Sequence, residues 1–153
     1  MNSGVTVDVY LQETKIPLRL SCAMESGWPA VLSLWYLFEE GVLYCATPEN
    51  ARVVSYLRAE PRCAFEVASD HPPYCGVRGR AIATIERERG VEILERLLFR
   101  YMGGLDNALA RSLLQRSGPE AAIRLDPQNF YSWNFTSRMS DSLASQEAKI
   151  CPG

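Results

Sequence analysis

The sequence has little of what catalytic and metal sites are usually built from. Its 153 residues contain one histidine, His71, which stands beside two prolines. A Ser-His-Asp or Cys-His site needs a well-supported histidine, and a zinc site needs three or four ligands at close spacing. No glycine-rich nucleotide fingerprint follows a predicted strand. We therefore expect neither hydrolysis nor metal chemistry, and no catalytic acid, base or nucleophile.

Long hydrophobic runs and an excess of positive charge are also absent. The net charge is −2, whereas nucleic-acid binders normally carry a basic excess. The longest uncharged stretch, residues 26–38, is too short to span a bilayer. The first residues show no basic and apolar signal pattern. We expect one globular protein in the cytoplasm, with neither a nucleic-acid nor a membrane partner.

The five cysteines are odd in number, widely spaced and without a Cys-x-x-Cys pair. Cys22, Cys45 and Cys63 stand in apolar, strand-like runs, where a free cysteine acts as a small hydrophobe. We expect all five to be reduced, as in a reducing cytoplasm.

Alternating and apolar runs predict six or seven strands. The run at residues 30–38 is apolar on both faces. An antiparallel strand usually exposes one face to solvent. We therefore expect both faces of this strand to be buried, one against the core and the other against a second subunit. The predicted strands cover residues 16–24, 30–38, 42–46, 62–68, 75–86, 121–125 and 130–135.

Thr47-Pro48-Glu49-Asn50 is typical of a helix start, with Thr47 as the N-cap and Pro48 at the first helical position. This helix ends near Ala59 because Pro61 follows. Two amphipathic helices are predicted at 88–102 and 105–116, before a last hairpin that turns at 126–128. The pattern indicates an α+β domain over residues 1–138, with an antiparallel barrel or sandwich at its centre. The polar residues 139–153 are predicted to be a flexible tail.

The predicted helix start at Thr47 has the groups of an anion site. A helix N-terminus offers free N–H groups and the positive end of a dipole. The Thr47 hydroxyl and the Arg52 guanidinium would add a donor and a charge for a phosphate. The alternative is a well-capped helix with a solvated arginine.

Residues 16–138 resemble the pyridoxamine 5′-phosphate oxidase-like, FMN-binding split β-barrel family. The order of the elements and of several short segments carries the resemblance. These segments are PAVLSLWY at 29–36, LYCAT at 43–47, LRAEPR at 57–62, GVRGRA at 76–81 and RLDPQNFYSWNF at 124–135.

The resemblance implies an antiparallel split β-barrel and a homodimer with FMN at the subunit interface. It places the flavin phosphate at the start of the helix after Thr47. Trp133 would approach the ring from the same or the other subunit. By position, the flavin would lie along Leu32, Ser33, Leu34 and Trp35, and its phosphate and ribityl chain among Tyr44, Ala46, Thr47 and Arg52.

The sequence departs from the family pattern in two places. Members often carry a Ser-Arg-Lys-like run in the first turn of that helix, where this chain has Ala51-Arg52-Val53. The C-terminal Arg/His substrate set of a true pyridoxamine phosphate oxidase is also missing, so we do not expect that activity. The resemblance implies a flavin-dependent oxidoreductase that uses FMN or a deazaflavin on a small molecule. The alternative is a non-catalytic flavin-, deazaflavin- or haem-binding protein on the same fold.

Overall fold

Seven strands and five helices form the part of the chain that the computed structural model describes, residues 5–139 and 151–152. The strands are β1 Leu18–Ala23, β2 Pro29–Leu34, β3 Leu37–Glu39, β4 Val42–Pro48, β5 Arg62–Ala68, β6 Cys75–Glu86 and β7 Glu120–Asn134. The helices are α1 Val7–Glu13, α2 Arg52–Ala59, α3 Gly90–Met102, α4 Ala108–Leu114 and α5 Thr136–Met139. No helix among the described residues is long and apolar enough to cross a membrane.

All the strands belong to one antiparallel sheet, in the order β2-β1-β5-β6-β7-β4-β3. Strands β2 and β3 lie at opposite edges, although only Trp35 and Tyr36 separate them in the sequence. The sheet must therefore curl until its two edges approach each other, and the gap between them is the split of the barrel. The predicted α+β fold with an antiparallel split β-barrel is confirmed.

The barrel interior follows from the alternation of side chains along each strand. In β6, Val77, Ala81 and Ala83 are buried, whereas Arg78 and Arg80 point outward. The predicted strand bounds of β5 and β6 agree with the structure.

The run at 30–38 is not one strand. Ala30, Leu32 and Leu34 of β2 pack against the core, while Val31 and Ser33 face outward. The chain then crosses the split, and Leu37 and Phe38 of β3 are buried within the same chain. Part of the double coverage expected for this run is therefore supplied by the chain itself.

The predicted helix start at Thr47 is wrong. Thr47 and Pro48 belong to β4, where they pair with Ala121 and Glu120 of β7. Helix α2 begins only at Arg52, with Ala51 as an N-cap that has no side-chain capping bond. Pairing with β7 keeps β4 extended for two more residues, so Thr47 is a buried strand residue and not a cap.

The predicted last hairpin is also wrong. Residues 120–134 form one continuous strand, and a β-bulge replaces the expected turn. Arg80 lies opposite Asn129 and Ala81 lies opposite Pro127, which leaves Gln128 as the extra residue. Proline is tolerated in a sheet at such a bulge. The helical pair before this strand is present as α3 and α4, and Gly103 ends α3 at φ 77°.

The prediction that all cysteines are reduced is wrong, because Cys75 and Cys151 form a disulfide. The other three cysteines are free and buried. Next to the disulfide, Pro152 forms a parallel bridge with Val5, and its carbonyl accepts a hydrogen bond from Asn134 Nδ2 at 3.4 Å. The predicted flexible tail, residues 139–153, lies largely outside the described residues.

Candidate functional site

A cavity of about 210 Å³ lies where the end of β2 and strand β4 meet α3 and α4. Four of the nine predicted cofactor residues line it, namely Ser33, Leu34, Trp35 and Ala46. The split barrel thus brings together residues of the edge strand β2 and of β4, which lies next to the opposite edge of the sheet. The remaining walls are formed by Leu94, Leu97, Leu113 and Arg116.

Trp35 occupies the short crossover between β2 and β3, where it has left the sheet. Its ring stacks on Tyr101 of α3, with ring centroids 4.9 Å apart and planes 5° apart. The Tyr101 hydroxyl in turn accepts a hydrogen bond from the Tyr36 backbone N–H at 3.4 Å. Burial raises the pKa of Tyr101, so this phenol stays neutral. The two rings therefore fix an aromatic wall beside the cavity.

Arg116 supplies the one charge among the residues that line this cavity. Its Nη2 lies 2.7 Å from Glu120 Oε1, and the Glu120 side chain is only 7% exposed. The backbone of Glu120 packs directly against Gly90, the first residue of α3. A Cβ at Gly90 would lie 2.2 Å from the Glu120 carbonyl oxygen, so only glycine fits there.

The sequence did not single out Arg116, Glu120 or the three leucines as site residues. The apolar stripe of the predicted helix at 88–102 was the available signal for Leu94 and Leu97. That stripe indicated burial, but not that a cavity would remain between the helix and β4.

Five of the nine predicted residues do not line this cavity, namely Leu32, Tyr44, Thr47, Arg52 and Trp133. Leu32 packs against the main core. Tyr44 lies under α3, where the Arg89 guanidinium is 4.7 Å from its ring centroid. It lines a second cavity of about 700 Å³ together with Glu39 and Arg124.

The start of α2 retains part of the predicted anion site. Arg52 is exposed, and it takes part in none of the ion pairs between described residues. Ala51 has no side-chain acceptor for the first-turn N–H groups. Glu49 precedes this turn, but hydrogen bonds from Arg87 and Arg58 lower its pKa and neutralise its charge locally. These features are compatible with an anion at the start of α2. Thr47 is not part of this helix start, because it belongs to β4.

Trp133 lies near the end of β7 and does not line the cavity. It pairs with Gly76, whereas Thr47 pairs with Ala121, twelve positions away along β7. At about 3.3 Å per residue, roughly 35–40 Å of strand separates these positions. The Trp133 indole Nε1 is buried and has no acceptor among the described residues. In its own chain, Trp133 therefore lies at the opposite end of β7 from the position that pairs with Thr47.

The outer face of the sheet holds a third cavity, of about 440 Å³. Arg19, Glu66 and Arg78 stand side by side on neighbouring strands and line it. Val31 and Tyr131 also line it, and they are 70% and 58% exposed. An outer face with this much exposed apolar surface is typical of a surface that meets another protein.

No known family model matches this sequence, and no curated protein matches it.

Several solved structures share its fold. An F420 reductase matches with a TM-score of 0.66 and 21% identity, over 79% of this chain and 93% of that one. A putative pyridoxamine 5′-phosphate oxidase from Listeria innocua matches with a TM-score of 0.61 and 15% identity, over 80% and 90%. HutZ, the heme storage protein from Vibrio cholerae, matches with a TM-score of 0.63 and 17% identity, over 79% and 88%. The chain has the pyridoxamine 5′-phosphate oxidase-like split-barrel fold.

Proposed function

We propose that this chain, a pyridoxamine 5′-phosphate oxidase-like split barrel, binds a flavin and acts as an oxidoreductase on a small molecule. The cofactor is FMN or a deazaflavin; a structural neighbour is an F420 reductase. The observation that carries the proposal is the cavity that brings Ser33, Leu34, Trp35 and Ala46 together. A flavin would supply the redox chemistry, so no side chain needs to act as an acid or a base.

The chain's own task in this proposal is to bind, orient and exclude water. The apolar walls and the Trp35–Tyr101 stack suit one face of a flat ring. Arg52 and the uncapped first turn of α2 suit the phosphate of FMN.

The proposal includes a homodimer. A second subunit is needed to bring Trp133 toward the cavity, because its own chain holds it at the other end of β7. Trp28 at 73% exposure and Val31 at 70% are apolar side chains that a partner would cover. The contact should bury more than about 1,200 Å² in total.

A non-catalytic ligand-binding protein is the second candidate, and the first turn of α2 favours it. Ala51 and Val53 lack the hydroxyl and the second cation that many members carry there. The loss of one of two cations would weaken the binding of a phosphate by about 1–3 kcal/mol. HutZ shows that a heme storage protein has this fold. The only histidine, His71, is an exposed loop residue 3.8 Å from Asp70, which does not favour a histidine-ligated haem in the cavity.

The cytoplasm remains the proposed location, supported by the three buried free thiols. The disulfide between Cys75 and Cys151 argues in the opposite direction, because disulfides persist mainly in oxidising compartments. Alkylation of intact cells before lysis tests this point. A cytoplasmic protein should be recovered with Cys75 and Cys151 at least partly alkylated.

The experiment that separates the two functions is an absorption spectrum of the purified protein after incubation with FMN, F420 or haem. An oxidoreductase should hold FMN or F420, bleach when a reduced nicotinamide is added without oxygen, and recover with an acceptor. A bound chromophore that no reductant bleaches would favour the non-catalytic function. Binding of haem alone would contradict the flavin proposal.

A further inference from the structure

Trp28 has the most exposed large apolar side chain among the described residues, at 73%. It ends the turn between β1 and β2, which two backbone hydrogen bonds close. The Met24 N–H donates to the Trp28 carbonyl at 3.0 Å, and the Gly27 N–H donates to the Met24 carbonyl at 2.9 Å. An ordered turn thus presents the indole to solvent, and tryptophan is among the side chains that contribute most to binding at protein interfaces.

The cavity of about 440 Å³ on the outer face of the sheet is large enough to receive such a side chain. Its shape follows from the register, in which four residues lie side by side across β2, β1, β5 and β6, namely Val31, Ser21, Ala64 and Arg80. The two middle side chains are short, so a hollow remains between their larger neighbours. Pockets of about 300–1,000 Å³ accept drug-sized molecules, so an indole fits this one.

The same cavity has an excess of positive charge. Arg19, Arg78 and Arg80 line it, together with a single carboxylate, Glu66. These four side chains take part in none of the ion pairs between described residues. A guanidinium group stacks favourably on an aromatic face, and most strongly on tryptophan. The cavity therefore suits an aromatic side chain that comes with a negative charge.

The turn that carries Trp28 also carries that charge. Glu25 lies three residues before Trp28 and is exposed. Trp28 does not line the cavity of its own chain. The turn and the cavity are therefore complementary in shape and in charge, and every copy of the chain has both.

The turn and the cavity lie at the two ends of one groove. A neighbouring cavity of about 330 Å³ on the same face is lined by Gly27 and Pro29, on either side of Trp28, and shares Ser21 and Ala64 with the first cavity. A two-fold axis across the middle of this groove would bring the turn of each copy to the cavity of the other. Such a contact is made twice and closes, so it gives a dimer and not a filament.

We propose that Trp28 of one copy enters the outer-face cavity of a second copy, and that the two copies exchange this contact in a two-fold dimer. The inference rests on the homodimer of the proposed function and names the contact that holds it together. The arginines of the cavity face the indole and the Glu25 carboxylate of the second copy.

The first test is sedimentation of the full chain over a range of concentrations. The unaltered protein should dimerise, and the dissociation constant of the dimer should be at least about 30-fold higher in Trp28→Ala, because an anchor is lost from both contacts. Phe99→Ala is the matched control and should leave the constant unchanged, since Phe99 is 58% exposed on α3 and lines neither cavity of the groove. An equal constant for Trp28→Ala and the unaltered protein would overturn the proposal.

The second test fills the cavity instead of removing the indole. Ala64→Leu places a larger side chain in the hollow and should also weaken the dimer. An equal mixture of Trp28→Ala and Ala64→Leu should nevertheless form heterodimers that are tighter than either variant alone. In the mixture, the intact Trp28 of one copy meets the intact cavity of the other, which neither variant offers by itself. A mixture that associates no more tightly than its two components would overturn the insertion of Trp28 into this cavity.

The outcomes separate this contact from the proposed function. A dimer that survives both substitutions would leave the proposed homodimer in place and overturn the contact, whereas an unaltered protein that stays monomeric would contradict both. If Ala64→Leu does not fold, the comparison of Trp28→Ala with Phe99→Ala still decides. Flavin binding is followed separately by its absorption, so its failure would contradict the flavin proposal and leave the result on the contact unchanged.

Discussion

The two ends of β7 are held in different ways. At its beginning, Glu120 pairs with Pro48, packs against Gly90 and contacts Arg116, all without a covalent link. At its other end, Asn134 pairs with Cys75, which a disulfide joins to Cys151. At the first end, Glu120 Oε2 has no donor among the described residues and Arg116 lines a cavity, whereas the second end is tied by a covalent bond.

This difference indicates a division of tasks along one strand. At the beginning of β7, the buried Glu120 carboxylate is held by Arg116, which also lines the cavity. At the far end, the disulfide joins Cys151 to β6, and Pro152 next to it pairs with Val5. The variants below test the two ends separately.

The largest effect is expected at the covalent end. Cys151→Ser should lower the free energy of unfolding by about 4 kcal/mol, because the two cysteines are 76 residues apart and the cross-link restricts the unfolded chain. Denaturant titration with and without dithiothreitol measures it.

Two further results would show that the loss of stability comes from the disulfide. The reductant should destabilise the unaltered protein and leave Cys151→Ser unchanged. Mass spectrometry of denatured, unreduced protein should find three alkylated thiols, and five would contradict the disulfide.

At the cavity end, Arg52→Ala should weaken FMN binding by about 2–4 kcal/mol, because it removes the charge proposed for the phosphate. Riboflavin has no phosphate, so its binding should hardly change. Calorimetry with both ligands measures the difference. Equal losses for both ligands would place the phosphate elsewhere and leave Arg52 a solvated helix residue.

The next largest effect is expected on stability, where α3 packs against β7. Gly90→Ala should destabilise the protein by about 1–3 kcal/mol, because the new methyl group would meet the backbone of Glu120 and Ala121 at 2.2–2.6 Å. Val91→Ala is the control, since Val91 is 53% exposed on the same turn. A melting temperature that falls equally in both variants would contradict this reason.

The same contrast shows where sequence reasoning succeeds and where it does not. Strands β5 and β6 were predicted with their observed bounds, because alternation along an isolated strand reports its burial directly. Thr47 and Pro48 carry a helix-start signal, but pairing with β7 decides their conformation, and this contact is distant in sequence. Pro127 indicates a turn in isolation and occupies a bulge once β6 lies beside it.

The residues of the candidate site likewise include some that the sequence predicts and some that it does not. Ser33, Leu34, Trp35 and Ala46 followed from the family resemblance and do line one cavity. Arg116 and Glu120 were missed, because an arginine and a glutamate four residues apart predict a solvated pair on the surface. The disulfide was missed because two cysteines so far apart give no local signal.

The smallest expected effect is a pH dependence of the free energy of unfolding, which arises from the buried thiols of the core. Burial raises the pKa of the Cys63 thiol to about 12, and raises the pKa values of the Cys22 and Cys45 thiols as well. Above pH 9, the ordinary value, the unfolded chain loses these protons while the folded chain keeps them. The free energy of unfolding should therefore fall as the pH rises from about 9 toward 12. Cys63→Ala should reduce this slope, and an unchanged slope would assign it to other groups.

The central claim is that a flavin ring binds in the cavity beside Trp35, and Ala46→Leu tests it most directly. The larger side chain would fill part of a cavity of about 210 Å³ without touching Arg52 or the disulfide. Visible absorption titration with FMN and F420 should show binding to the unaltered protein, and at least about 10-fold weaker binding to Ala46→Leu. Equal binding to both proteins, or no binding of either flavin to the unaltered protein, would contradict the account.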